Sequence, residues 1–173
     1  MSPGWRAARL ALVVILAVGL QAGAASAVEV WGVTPEVPLV LAIAAGLVLG
    51  SQRGAAVGFA AGLAFDVLVP ARPLGLWALV LTVVGAATGW VGESGPGTPH
   101  RVAQVFTAAV ATAGASLAYV ALSGLVGSPV VTGVPLWRVV VVASVWSAAL
   151  VVPVGAVLRW AWEGRKRVAA WSR

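Results

Sequence analysis

Asp66 is the one acidic residue inside an apolar run that reads as a span. A carboxylate in lipid is costly, so such a residue is a functional candidate by default. The chemistry it could do is proton or cation handling. The structural alternative is a carboxylate that pairs with Arg72, across Pro70, or accepts backbone N–H groups near Gly75. Gly62 and Gly58 precede Asp66 by four and eight residues. Each four-residue step turns a helix by about 40°, which keeps Asp66 near the glycine face and aims it into a bundle. Little else could join it in catalysis. His100 is the single histidine and falls in the polar segment GESGPGTPHR, and there is no cysteine. No acidic cluster could hold a metal, no serine stands with a histidine and an acid, and no Gly-Lys-Ser/Thr could cradle a phosphate. No catalytic residue, metal ligand or cofactor is expected.

The second pattern is glycine at every fourth position: Gly46, Gly50, Gly54, Gly58 and Gly62, with Gly85 and Gly89 repeating the spacing. Such a stripe lets two helix backbones approach closely, which replaces the hydrophobic drive that lipid does not supply. The face of Gly58, Gly62 and Asp66 is therefore expected either to pack internally or to receive a partner's single transmembrane helix.

These residues need elements to hold them, and composition says which. Hydrophobic residues make up 61% of the 173 residues, charged residues 9%, and mean hydropathy is +1.01. Soluble domains carry about 25% charged residues, so a water-soluble globule and a disordered chain are both excluded. The apolar runs are continuous rather than alternating, which argues against a transmembrane barrel. An all-α polytopic membrane bundle remains. Charges and helix breakers divide it into six helices at about 8–28, 37–51, 54–69, 74–92, 102–126 and 138–160, with a basic tail over 161–173. The second and third are short for a hydrocarbon core about 30 Å thick; a re-entrant pair is the alternative.

Orientation follows from Lys and Arg. Six helices put Arg6, Arg9, Arg53, Arg101, Arg159, Arg165, Lys166, Arg167 and Arg173 on one side, and Arg72 and Arg138 on the other. Nine against two places both termini in the cytoplasm. Trp5, Trp90, Trp160 and Trp162 then fall at the inner interface, Trp31 and Trp137 at the outer one, and Trp77 and Trp146 between helices. Arg6, Arg9 and the run from Leu10 to Ala25-Ser26-Ala27 also resemble a cleavable signal; an uncleaved first helix fits the even helix count.

The segment GFAAGLAFDVLVPARPLGLWAL, residues 58–79, resembles the signature of the rod shape-determining protein MreD family: G-F-x-x-G-L-x-x-D, then P-L-G-L-x-A-L, then a glycine-bearing helix. The matches are Gly58, Phe59, Gly62, Leu63, Asp66, Pro73, Leu74, Gly75, Leu76, Ala78 and Leu79, followed by Gly85 and Gly89. Gln21 and Pro35-Glu36 also look like the family, which usually has aspartate after that proline. The resemblance covers about 17–92. It implies a non-enzymatic subunit of the bacterial elongation machinery in the plasma membrane. Such a subunit binds MreC, a bitopic membrane protein, and helps couple MreB to RodA and class B penicillin-binding proteins in cell-wall synthesis. It also implies a fold like that of the substrate-binding components of energy-coupling-factor vitamin transporters. The rival from another class is a small-solute or vitamin-binding transporter subunit. That would need a polar pocket from the few polar residues in the spans: Gln21, Asp66, Thr82, Gln104, Thr107, Thr112, Ser116, Tyr119, Ser144 and Ser147.

Overall fold

In a computed structural model, residues 3–23, 31–68, 74–94, 100–127 and 135–163 are described. Among them the regular structure is helical: α1 (Pro3–Gly23), α2 (Val37–Leu49), α3 (Ser51–Leu68), α4 (Leu76–Glu93), α5 (Arg101–Leu125) and α6 (Leu136–Glu163). Three of them contain stretches long and apolar enough to cross a membrane: Leu76–Glu93, Arg101–Leu125 and Leu136–Trp162. The protein is accordingly an all-helical membrane protein.

Helix ends differ from the sequence expectation where a charge was read as a break. Arg53 was expected to sit in the turn between the second and third helices. It lies instead in the first turn of α3, and the break falls at Gly50, whose φ of +88° is open to glycine and strained for other residues. The α3 ladder starts at once, with the Gly54 N–H donating to the Gly50 carbonyl at 2.8 Å. An arginine need not end a helix, since its long stem lets the guanidinium reach polar surroundings. Similarly α6 runs through Ala161 and Trp162 to Glu163, so these three residues belong to the helix rather than to a tail. It also continues through Pro153, which lacks the N–H for the Ala149 carbonyl. The segment 24–28, the Ala25-Ser26-Ala27 motif, Arg72, Pro73 and residues 164–173 lie outside the described residues.

α2 is the axis of the bundle. All its side chains are apolar, and every residue from Pro38 to Leu47 is buried. A helix apolar all round belongs in an interior. Its 13 residues span about 20 Å. That length is tolerable because the neighbours of α2 are other helices rather than lipid. α2 starts beside Gln21 near the end of α1 and finishes beside Glu93 at the end of α4. It therefore crosses from one end of the bundle to the other, and α3 returns along it. α4 packs against both, while α1, α5 and α6 complete the shell.

The tryptophans collect at the two ends. Trp5, Trp90 and Trp160 are exposed at the end holding the start of α1 and the finish of α4 and α6; Trp31 and Trp137 are exposed at the opposite end. Amphipathic indoles favour the boundary between lipid and water. Trp77 is buried and Trp146 half-buried between helices.

Candidate functional site

The first four N–H groups of a helix have no partner within that helix, and lipid offers none. Among the described residues, polar side chains from other helices meet that need three times. Gln21 of α1 accepts from the Val37 N–H at the start of α2, at 2.7 Å. Glu93, the last residue of α4, accepts from the Ser51 N–H at the start of α3, at 2.9 Å, and from the Ser51 hydroxyl at 3.1 Å. Asp66 of α3 accepts through Oδ2 from the Gly75 and Ala78 N–H groups at the start of α4, at 2.9 and 3.1 Å.

α3 and α4 thus cap each other. Each carries, near its own C-terminus, the acid that covers the N-terminus of its antiparallel neighbour. A carboxylate there meets both unpaired donors and the positive end of the helix dipole. Gly75 serves the arrangement with a φ of +93°, which turns the chain into α4 beside Asp66. The Glu93 cap is exposed, so it should be the weaker. Glu93→Ala is expected to cost about 1 kcal/mol, while Glu93→Gln keeps an acceptor and most of the stability. Thermal unfolding of the two variants in detergent checks this.

Asp66 is only 1% exposed, and its bonds are those of the structural alternative. The suggested ion pair with Arg72 lies outside the described residues. Asp66 Oδ1, Trp77 Nε1 and Thr112 Oγ1 are buried without a hydrogen-bond partner among the described residues. Trp77 is held by its rings instead: it stacks on Tyr119 with centroids 4.7 Å apart and meets Phe65 edge-on at 5.9 Å.

The glycine stripe folds at Gly50 into two stripes that meet on α4. A Cβ on Gly46 of α2 would collide with Thr88 and with the Gly85 and Gly89 backbone. One on Gly54 of α3 would meet the Gly85 carbonyl and lie 2.6 Å from Gly46 Cα. Gly58 faces the Leu81 carbonyl, and Gly62 faces Ala78 Cα and the Trp77 carbonyl. From α4, Gly85 faces Gly54, and Gly89 faces Gly50 and Ser51. Thus the face of Gly58, Gly62 and Asp66 is occupied by α4 of the same chain.

Other motif residues point away. Phe59, Leu63, Leu74 and Leu79 are all more than two-fifths exposed, on the outer side of the α3–α4 hairpin. Pro73 cannot be placed with them, being outside the described residues. The polar residues expected to line a solute pocket do not converge. The Thr82 hydroxyl donates to the Ala78 carbonyl and the Ser116 hydroxyl to the Thr112 carbonyl, each within its own helix. Ser144 of α6 donates to the Ala109 carbonyl of α5 at 3.2 Å. Two openings between helices, of about 260 and 300 Å³, have largely apolar linings, and a third of about 280 Å³ brings Gln21 together with Val18, Ala22, Phe65 and Leu68. His100 is exposed at the start of α5, with no side-chain cap there. Among the described residues no group of three or more His, Asp or Glu could hold a metal.

Three polar roles escaped the sequence reading. Glu93, the last residue of α4, also caps α3, and Gln21 caps α2. Thr88, buried in α4, donates to the Val84 carbonyl at 2.8 Å and packs beside Gly46. An acid at the end of an apolar helix, opposite a Gly-Ser helix start, was the available signal for the first. Comparison with family models, with curated proteins and with solved structures gives no match for this chain.

Proposed function

We propose that this chain is a membrane scaffold subunit of the MreD type. It crosses the bacterial plasma membrane six times with both termini in the cytoplasm. It binds an MreC-like bitopic protein and thereby links MreB to RodA and class B penicillin-binding proteins in cell-shape control. Arg9, Arg53, Arg101 and Arg159 at the end where α1 starts and α6 finishes, against Arg138 at the start of α6, support the orientation. The other five helices pack about the short buried α2, and a fold like that of energy-coupling-factor substrate-binding components belongs to the same proposal.

One observation carries the reading. The motif segment divides by face: Gly58, Gly62 and Asp66 build the α3–α4 hairpin, while Phe59 and Leu63 stand outside it, 52% and 43% exposed. The inner residues account for stability. The outer pair, one aromatic and one leucine a helical turn apart, is left uncovered by this chain and is the part of the motif free to meet a partner's transmembrane helix.

Cross-linking tests it, helped by the absence of cysteine from the chain. Phe59→Cys and Leu63→Cys are expected to cross-link to a single cysteine in the transmembrane helix of the MreC-like partner. Leu117→Cys, exposed on α5, is not. Equal cross-linking at all three positions, or none at 59 and 63, would remove the proposal. A tightly co-purifying vitamin would favour the solute-binding alternative instead.

A further inference from the structure

α1 leans on the bundle through Val14 and Val18, which are buried, while Leu12, Ile15, Leu16 and Leu20 remain largely exposed. Between α1 and α6 this leaves an apolar groove of about 300 Å³. Val13, Ala17 and Leu20 form one wall, Val154 and Val157 the other, and Leu41 of the central helix lies at its base. Arg9 precedes Val13 by one helical turn, so it stands over one mouth of the groove. Its guanidinium is flanked there by two indoles, 5.4 Å from the Trp5 ring centre and 5.3 Å from that of Trp160 on α6.

We propose that this groove holds one anionic glycerophospholipid, with its phosphate on Arg9 and an acyl chain between α1 and α6. The inference rests on the chain being a membrane bundle, but on nothing about its protein partners. The charge fits. Cation–π contacts engage a guanidinium through its face, whereas its N–H donors lie in its plane and suit phosphate oxygens. Arg159 and Arg53 add positive charge at the same end, Arg53 lying 4.4 Å from the Trp162 ring centre. Glu93, the carboxylate whose side chain is described at this end, is engaged on Ser51. Depth fits as well. From Arg9 to Leu20 the helix rises about 16 Å, roughly one leaflet of a hydrocarbon core about 30 Å thick. The walls favour a chain over a helix, because Leu16, Leu20, Leu150 and Val157 are bulky. Close helix packing in lipid prefers small residues, whereas an acyl chain can bend around large ones.

Native mass spectrometry of the detergent-purified protein tests this. Phosphatidylglycerol is added in one arm, phosphatidylcholine with the same acyl chains in a second, and glycerol 3-phosphate as competitor in a third. One lipid should be retained per protein, with phosphatidylglycerol preferred and undisturbed by the competitor. Arg9→Gln should weaken its retention about tenfold, the loss of one charge-assisted contact, with Arg9→Lys between. Val157→Trp should block the groove for both lipids. Unfolding temperatures without added lipid identify any variant that fails to fold, and the Arg9 pair then decides. Equal retention of both lipids, an unchanged Arg9→Gln, or full competition by glycerol 3-phosphate would overturn the proposal. So would a polypeptide cross-linked in the groove. A chain that stays folded and monodisperse without detergent would instead sink the membrane reading beneath it.

Discussion

Gly54→Leu should yield almost no folded protein, whereas Gly114→Leu should be made and purified as the parent is. Both residues lie within helices, so helix propensity predicts similar effects. Their surroundings do not. A Cβ at Gly114 has nothing within 4 Å, while one at Gly54 meets backbone atoms of both α2 and α4. A side chain can change rotamer to admit a newcomer, but backbone can yield only by moving a helix. Overpacking by a methylene or two costs about 1–3 kcal/mol in an ordinary core. Gly54→Ala should reach the top of that range. Leucine adds three more carbons where α2, α3 and α4 converge, and should exhaust a total stability of about 5–15 kcal/mol. Gly62→Leu should follow it closely, because its Cβ would lie 2.5 Å from Ala78 Cα. Yield and monodispersity in detergent, with unfolding temperature for whatever survives, measure the series. A stable Gly54→Leu protein would mean that the three helices do not meet as described.

The second large effect is at Asp66, where the chemistry of the replacement matters more than its size. Asp66→Leu fits a buried apolar site but leaves the Gly75 and Ala78 N–H groups without their acceptor. Each buried donor left unpaired costs about 1–3 kcal/mol, so the sum is of order 2–6 kcal/mol. Asp66→Asn retains a carbonyl oxygen for both donors; it weakens the interaction with the helix dipole by about 0.3–2 kcal/mol and sets an NH2 where Oδ1 has no partner among the described residues. The expected order of unfolding temperature is parent, then Asn, then Leu. A proton- or cation-handling Asp66 predicts a different pattern: Asn and Leu alike in abolishing activity, with stability little changed. Hydrogen exchange adds a local test, since amides in the first turn of α4 should lose protection in the leucine variant before those near Glu93.

The stripe and the carboxylate were both visible before the fold. What they touch was not. Spacing by four puts Gly46, Gly54, Gly58 and Gly62 on faces where something comes close, yet a stripe of small residues is equally suited to a helix of the same chain or of another. Only the return of α4 across α2 and α3 decided that. Asp66 was likewise readable as a buried acid near a helix start, but two hydrogen bonds across nine and twelve residues of chain depend on where Gly75 and Ala78 arrive. Glu93 does mark the end of α4, but its second role, the bond to Ser51, crosses 42 residues and leaves no local pattern.

Sequence by itself determined that this protein is helical and membrane-bound, and set α2 to α6 within three residues of their observed limits, whereas α1 starts at Pro3 rather than near residue 8. Those properties follow from composition and from breakers acting over a few residues, so they are local. Tertiary structure alone decided that α2 is the core, that the polar residues of α1, α3 and α4 cap neighbouring helices, and that Phe59 faces outward while Gly58 faces in. These depend on which backbone comes to lie beside which. In lipid, where apolar surface does not by itself drive helices together, that choice rests on close fit and on satisfying each exposed N–H.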